Sequence, residues 1–202
     1  MGVDPTGAKD FYAAVFGWEF RREGGRGYHL ILLGGEIVGG LGPSPAGPRF
    51  GSAWSVYLAA KDLDAAGRRA EQHGARLLVR AVPAGGNGRL SLAVDPVGAP
   101  FGLWQGAHDE GVVLVDEPGA LTGAALQTPR PEESAAFYHG VSGTHPATER
   151  ADAPRWVPSF GVTDVGAFED LARAAGARSP APGLLADPWG AAFAVTELPA
   201  AG

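Results

Sequence analysis

The stretch Asp95-Pro96-Val97-Gly98-Ala99-Pro100-Phe101-Gly102-Leu103-Trp104-Gln105 decides how this chain is read. An Asp-Pro-x-Gly turn runs straight into an apolar strand, Phe101 to Gln105. The same pattern returns as Asp187-Pro188-Trp189-Gly190-Ala191-Ala192-Phe193-Ala194-Val195-Thr196-Glu197. Two copies of one turn and strand indicate an internal duplication, and the neighbouring residues extend it. Trp54, Asp62 and Gly74-Ala75-Arg76 answer Trp156, Asp164 and Gly176-Ala177-Arg178 at an offset of 102, against 92 for the Asp-Pro turns. Phe11-Tyr12 answers Phe137-Tyr138 at 126, so the second copy is 24 residues shorter between its first helix and its Trp strand and 10 shorter before its turn. Those differences suit loss of a hairpin after the first helix and trimming of a later one.

Local signals place the elements. Asp4 and Pro5 suit a helix cap and first position, and Ala8, Phe11, Tyr12, Val15 and Phe16 form one apolar face before a Gly17 stop. Tyr28 to Leu33 and Glu36 to Leu41 read as a hairpin about Gly34-Gly35. Pro43 to Gly51 reads as loop and Ala53 to Ala60 as a strand. Asp62 caps a helix with Leu63, Ala66 and Ala70 inward, and Leu77 to Val82 and Leu90 to Val94 form a hairpin that leads into the opening stretch. In the second copy, Leu121 to Thr128 and Trp156 to Thr163 are strands. Pro131 opens a helix carrying Phe137, Tyr138 and Val141, and Asp164 caps another with Val165, Phe168, Leu171 and Ala172 inward. The last strands fall within Gly183 to Leu198. The expected organisation is a first copy at 1–107, a linker at 108–120 and a shortened second copy at 121–202.

Composition narrows the chemistry. Hydrophobic residues are 45% and charged residues 19%, as in soluble globular proteins. A net charge of -6 provides no basic stripe for nucleic acid or an anionic membrane. With no cysteine, disulfides, thiolate metal sites and thiol nucleophiles are excluded. No apolar run approaches the roughly 18 residues of a membrane span, no secretory signal precedes the first helix, and the expected compartment is the cytoplasm. Basic residues are nearly all Arg, Lys9 and Lys61 being the lysines, a bias that suits a GC-rich bacterial genome.

The ordered pair of a Phe-Tyr helix and a closing Asp-Pro-x-Gly strand, present in duplicate, with Phe16-Gly17-Trp18 following the first helix, resembles the glyoxalase/bleomycin-resistance/dioxygenase family, the vicinal-oxygen-chelate superfamily, in its tandem two-domain bacterial form. The resemblance implies an α+β fold in which paired βαβββ modules curl a mixed sheet into a cradle, with helices outside. Two departures stand out. Only Met1 to Val3 precede the first cap, so the first strand of the first copy is largely missing, and the second copy is reduced. Strand addition between the halves, or in a homodimer, would complete the cradles and cover sheet edges.

Metal-dependent members place His or Glu on the first and last strands of each module. The matching first-strand positions here are Ser55, Gly123 and Val157. The last-strand positions are Gly102, Ala194 and either Gly39 or Gly40. None suits a divalent ion, which wants three or four N or O donors, so no metal and no cofactor are expected. His73 reads as a helix-end contact and His108 as solvated, while His139 and His145 straddle a helix end and a loop, where a shared metal is not expected. Adjacent acids such as Asp109-Glu110 and Glu132-Glu133 do not share a face, and no Gly-x-Ser-x-Gly elbow or phosphate loop is present. What remains is an aromatic hollow. Alternation puts Ser55, Tyr57 and Ala59 on one face, and sends Gly102 and Trp104 to the cradle with Phe101 and Leu103 toward the helices. Ser55, Tyr57 and Trp104, with Tyr28 or His29 across the sheet, are the candidate ligand-binding residues, suited to a flat, partly apolar molecule.

Three functions compete. The first is a metal-free small-molecule-binding protein of the bleomycin-resistance kind, holding a planar natural product. The second is a metal-independent cyclase, isomerase or hydratase using Tyr57, His29 or Ser55 as a proton shuttle. The third is a degenerate structural or partner-binding protein whose aromatics merely fill the cradle.

Overall fold

The computed structural model describes residues 5–23, 27–43, 52–108, 111 and 114–199. The expectations for Met1 to Asp4, for most of the 43–51 loop and for Asp109-Glu110 lie outside them. In chain order the elements are α1 (Pro5–Phe16), β1 (Glu19–Arg22), β2 (His29–Leu33), β3 (Glu36–Leu41), β4 (Tyr57–Ala59), α2 (Leu63–Gln72), β5 (Arg76–Pro83), β6 (Gly88–Val94) and β7 (Pro100–Gly106). The second half adds β8 (Leu121–Thr128), α3 (Pro131–Ser142), β9 (Ala147–Arg150), β10 (Arg155–Val162), α4 (Val165–Ala174), β11 (Arg178–Ala181), β12 (Leu184–Ala186) and β13 (Ala192–Glu197). Three strands follow α1, but β9 alone stands between α3 and β10, so the 24-residue difference is a lost hairpin. The later module keeps three short strands. The expected 53–60 strand narrows to Tyr57–Ala59, and β1, β9 and β11 are elements whose four residues carry too little alternation to be read from sequence.

By contacts the chain divides into two compact units, 1–54 with 112–123 and 158–202, and 55–111 with 124–157. Each unit therefore draws one module from each sequence copy. Copy boundaries at 1–107 and 121–202 describe repetition along the chain, whereas the units describe which modules pack.

In the first unit β1, β2 and β3 form an antiparallel sheet, and Gly34 and Gly35, at φ of 59° and 91°, make the tight turn between β2 and β3. β10 pairs in parallel with β13, on which β12 and then β11 are laid antiparallel. The core joins Phe11, Tyr12 and Phe16 of α1 and Trp18 to Phe160, Phe168 and Phe193. Trp18 reaches this core because Gly17 turns the chain at φ 70°, and its indole N–H donates to the Gly119 carbonyl at 2.9 Å. Asp164 caps α4 by accepting from the Ala167 N–H at 2.8 Å, an arrangement that contributes about 1 kcal/mol. The expected inward face of α4 needs one correction. Leu171 is 47% exposed, and the buried positions are Phe168, Glu169 and Ala172. Glu169 is drawn in because its carboxylate accepts from the Gly183 N–H at 2.7 Å and pairs with Arg173.

In the second unit the sheet order is β4-β7-β6-β5, with β4 parallel to β7, and β8 is parallel to β9. Its core packs Leu63, Ala66 and Ala70 of α2 and Phe137, Tyr138 and Val141 of α3 with Phe101, Leu103 and Trp156. Asp62 caps α2 in the same way, through the Ala65 N–H at 2.8 Å.

The Asp-Pro turns show why one motif serves both units. Asp95 Oδ1 accepts from the N–H groups of Val97, Gly98 and Ala99 at 2.9, 2.7 and 2.8 Å, while Oδ2 accepts from the Tyr138 hydroxyl at 3.1 Å. Asp187 Oδ1 accepts from Trp189 and Ala191 at 3.0 and 2.8 Å, and its Oδ2 from the Tyr12 hydroxyl at 3.0 Å. One carboxylate thus shapes the turn and ties it to the Phe-Tyr helix of the module packed beside it. Each pairing joins residues from different sequence copies within one unit.

Candidate functional site

The sheet face turned away from the helices is the one on which the sequence places the candidate residues of the second unit. In β7, Phe101 and Leu103 are each 1% exposed and belong to the helix-packed core, so Gly102 and Trp104 point the other way. Register then assigns that face. Gly102 stands between Tyr57 on one side and Leu92 on the other, Leu90 lies opposite Trp104, and Val82 and Val79 lie opposite Leu90 and Leu92. Tyr57 and Val82 are 42% and 39% exposed, so an apolar, partly aromatic surface is open on this unit. Ser55 is half-buried and lies just before the ladder, on the Tyr57 side by alternation. Val56 and Leu58 pack into the core, as the alternation predicts.

Tyr28 and His29 belong to the other unit and to a different sheet, so the set expected across one sheet is divided between two. Ile31 is a core residue at 1% exposure, which puts His29 on the core side by parity and Tyr28 with Leu30 and Leu32 on the opposite face. His29 Nδ1 lies 3.1 Å from the Gly27 carbonyl oxygen. Burial, followed by the charge of Glu23, raises the Tyr28 phenol above its ordinary pKa.

Among the described residues, the positions matching the family's metal ligands do not suit a divalent ion. The parallel registers Tyr57 with Gly102, Ala125 with Ala147, and Ser159 with Ala194 identify equivalent last-strand positions in three modules. Each is Gly or Ala. Gly40 on β3 is the fourth, because Gly39 faces Ile31 of the core at 3.5 Å. At two of these positions a tyrosine already fills the space. A Cβ on Gly102 would lie 2.7 Å from Tyr57 Cγ, and one on Gly40 would lie 2.6 Å from Tyr28 Cζ. Among the described residues no cluster of three His, Asp or Glu is placed to hold an ion. His139 and His145 stack at 4.3 Å between ring centroids, and His73 lies against Gly140.

Two further features separate structure from chemistry. A cleft of about 270 Å³ opens on the helix side, lined by Ala60, Lys61, Asp62, Arg69, Val141 and Ser142. There the Arg69 Nε–H donates to the Val141 carbonyl at 3.1 Å and ties α2 to α3. The titratable groups most displaced from ordinary values are the buried tyrosines of the turns. Burial first, then the Asp187 charge, raises Tyr12 well above the usual phenol range, and burial with Asp95 does the same for Tyr138. The indole N–H groups of Trp54 and Trp156 oppose these shifts, though neither lies in hydrogen-bond geometry. Asp95 is raised by burial against the pull of its three backbone donors and Tyr138. These groups hold the fold, and none of them faces the open surface.

The sequence missed β9, and with it Ala147, because the module had lost the hairpin that frames that strand elsewhere. It also missed Leu90, Leu92 and Val79, whose orientation depends on cross-strand register.

Comparison with known proteins gives consistent relatives. The model described as Glyoxalase/Bleomycin resistance protein/Dioxygenase superfamily matches residues 2–104. The Mycobacterium tuberculosis protein named "Putative glyoxylase CFP32" is 34% identical over 206 residues, covering 98% of this chain and 76% of the relative. The anthracycline biosynthesis protein DauV of Streptomyces sp. (strain C5) is 26% identical over 250 residues, covering 96% and 90%. The crystal structure of the Mn(II)-bound glyoxalase from Novosphingobium aromaticivorans superposes with a TM-score of 0.68 at 17% identity, covering 96% of this chain and 78% of that one. At that identity the likeness is one of fold. No described helix is long and apolar enough to cross a membrane.

Proposed function

Since the chain belongs to the glyoxalase/bleomycin resistance protein/dioxygenase superfamily, we propose that it uses this scaffold to bind a planar small molecule without a metal, in the manner of a resistance or carrier protein. The observation that carries the reading is the run of Gly40, Gly102, Ala147 and Ala194 at the last-strand positions, two of them filled by tyrosine rings. A face bearing Tyr57, Trp104, Leu90 and Val82 binds by apolar contact and ring stacking. The name of DauV, an anthracycline biosynthesis protein, supports a polycyclic aromatic ligand.

A second reading, a metal-independent enzyme on a polyketide-like substrate, also draws on that name. It is weakened because His29 lies in a different unit from Tyr57 and on a core-facing position. The test is titration with 1,4-dihydroxyanthraquinone followed by tryptophan quenching. Saturable one-to-one binding at about micromolar Kd is expected, with marked weakening in Trp104→Ala. Failure to saturate refutes the proposal, and conversion of the probe to a new species would favour the enzyme.

A further inference from the structure

One arrangement occurs once in each unit. Tyr28 and Tyr57 are each 42% exposed, and each lays its ring across a glycine of a module's last strand. The Tyr28 ring lies over Gly40 and Gly42, with ideal Cβ positions 2.6 Å from its Cζ and Cδ2 respectively. Tyr57 covers Gly102 in the same way. Neither Gly40 nor Gly102 has the left-handed backbone that would itself require glycine. The missing side chain is therefore explained by the ring and not by the strand.

Resting on the small-molecule reading above, we propose that Gly102 is a specificity-determining residue: by lacking a side chain it seats Tyr57 where the family places a ligand group, and the seated ring is the contact surface for a planar aromatic molecule. The neighbours fit that occupant. Leu92, 7% exposed, flanks Gly102 on the side away from Tyr57, and Leu90, Val79 and Val82 extend an apolar floor, which suits a neutral flat ligand and not an anion. Tyr57 contributes ring area, with its hydroxyl secondary. Gly40 seats Tyr28 in the first unit by the same rule.

The experiment combines a ligand-independent signal with a ligand titration. In the wild type the Tyr57 ring shifts the Gly102 Hα resonance upfield, and the shift disappears in Tyr57→Ala. With 1,4-dihydroxyanthraquinone as probe, Tyr57→Ala and Gly102→Ala each raise Kd by about 10-fold, while Tyr57→Phe stays within about 3-fold. An unshifted Gly102 Hα in the wild type overturns the seating. Wild-type binding left unchanged by Gly102→Ala overturns the specificity role alone. A shifted Hα with no probe binding overturns the small-molecule reading, and this proposal with it. Should Gly102→Ala fail to fold, Tyr57→Ala/Gly102→Ala relieves the clash: a folded double variant that does not bind supports the seating, and one that stays unfolded contradicts it.

Discussion

Asp187→Ala lowers the stability of the chain by about 3–5 kcal/mol, because it strips partners from two buried donors and one part-buried donor at once. The N–H groups of Trp189 and Ala191 and the hydroxyl of Tyr12 all donate to this one carboxylate, which is 1% exposed. Tyr12→Phe removes only the last of these bonds and costs about 1–2 kcal/mol. Equilibrium urea unfolding measures both. Because two units can unfold separately, fluorescence and far-UV dichroism are followed together. Equal, small losses in the two variants would show that the carboxylate does not organise the turn.

Raising the pH above 10 unfolds the protein through the same two clusters. Tyr12 and Tyr138 have folded-state pKa values above the ordinary phenol value near 10, so their contribution is complete below about pH 10 and is lost above it. In the unfolded chain both ionise, and stability falls by an amount on the order of 1 kcal/mol per pH unit for each. By pH 12 the loss is on the order of 5 kcal/mol, a large fraction of a typical domain's stability. Tyr28 is also raised but is 42% exposed, and adds less. Asp95 acts in the acid range with the same sign: its raised carboxyl favours the folded state below about pH 4 and loses that contribution as pH rises through its folded value. Following tyrosinate absorbance alongside dichroism tests the tyrosine assignment. Ionisation of all four tyrosines near pH 10 with the fold intact would contradict it.

Much of this was legible from particular residues. The duplicated Asp-Pro-x-Gly turns, the Phe-Tyr helices and the capping aspartates Asp62 and Asp164 act through local chemistry, and each appears where its pattern places it. The inward-outward division of Phe101, Gly102, Leu103 and Trp104 follows from period-two alternation. What escaped depends on contacts distant in sequence. Leu171 turned outward because Glu169 is held inward by Gly183 and Arg173, a partnership no helical period reveals. Tyr28 and His29 fell in a different unit from Tyr57 because modules from the two copies pack together, whereas the repeat shows only their order along the chain. Glycine at 102 reads as a missing ligand in sequence; in space it is the seat of Tyr57.

We propose metal-independent ligand binding on this superfamily scaffold. Its most direct measurement is the Kd for 1,4-dihydroxyanthraquinone in buffer with excess EDTA and again with Mn(II), Fe(II), Ni(II) or Zn(II) added to the EDTA-free protein. The small residues at Gly40, Gly102, Ala147 and Ala194 predict a Kd unchanged within about 2-fold across all conditions. Binding or turnover that appears only with one of the metals, lost again with EDTA, would contradict the account.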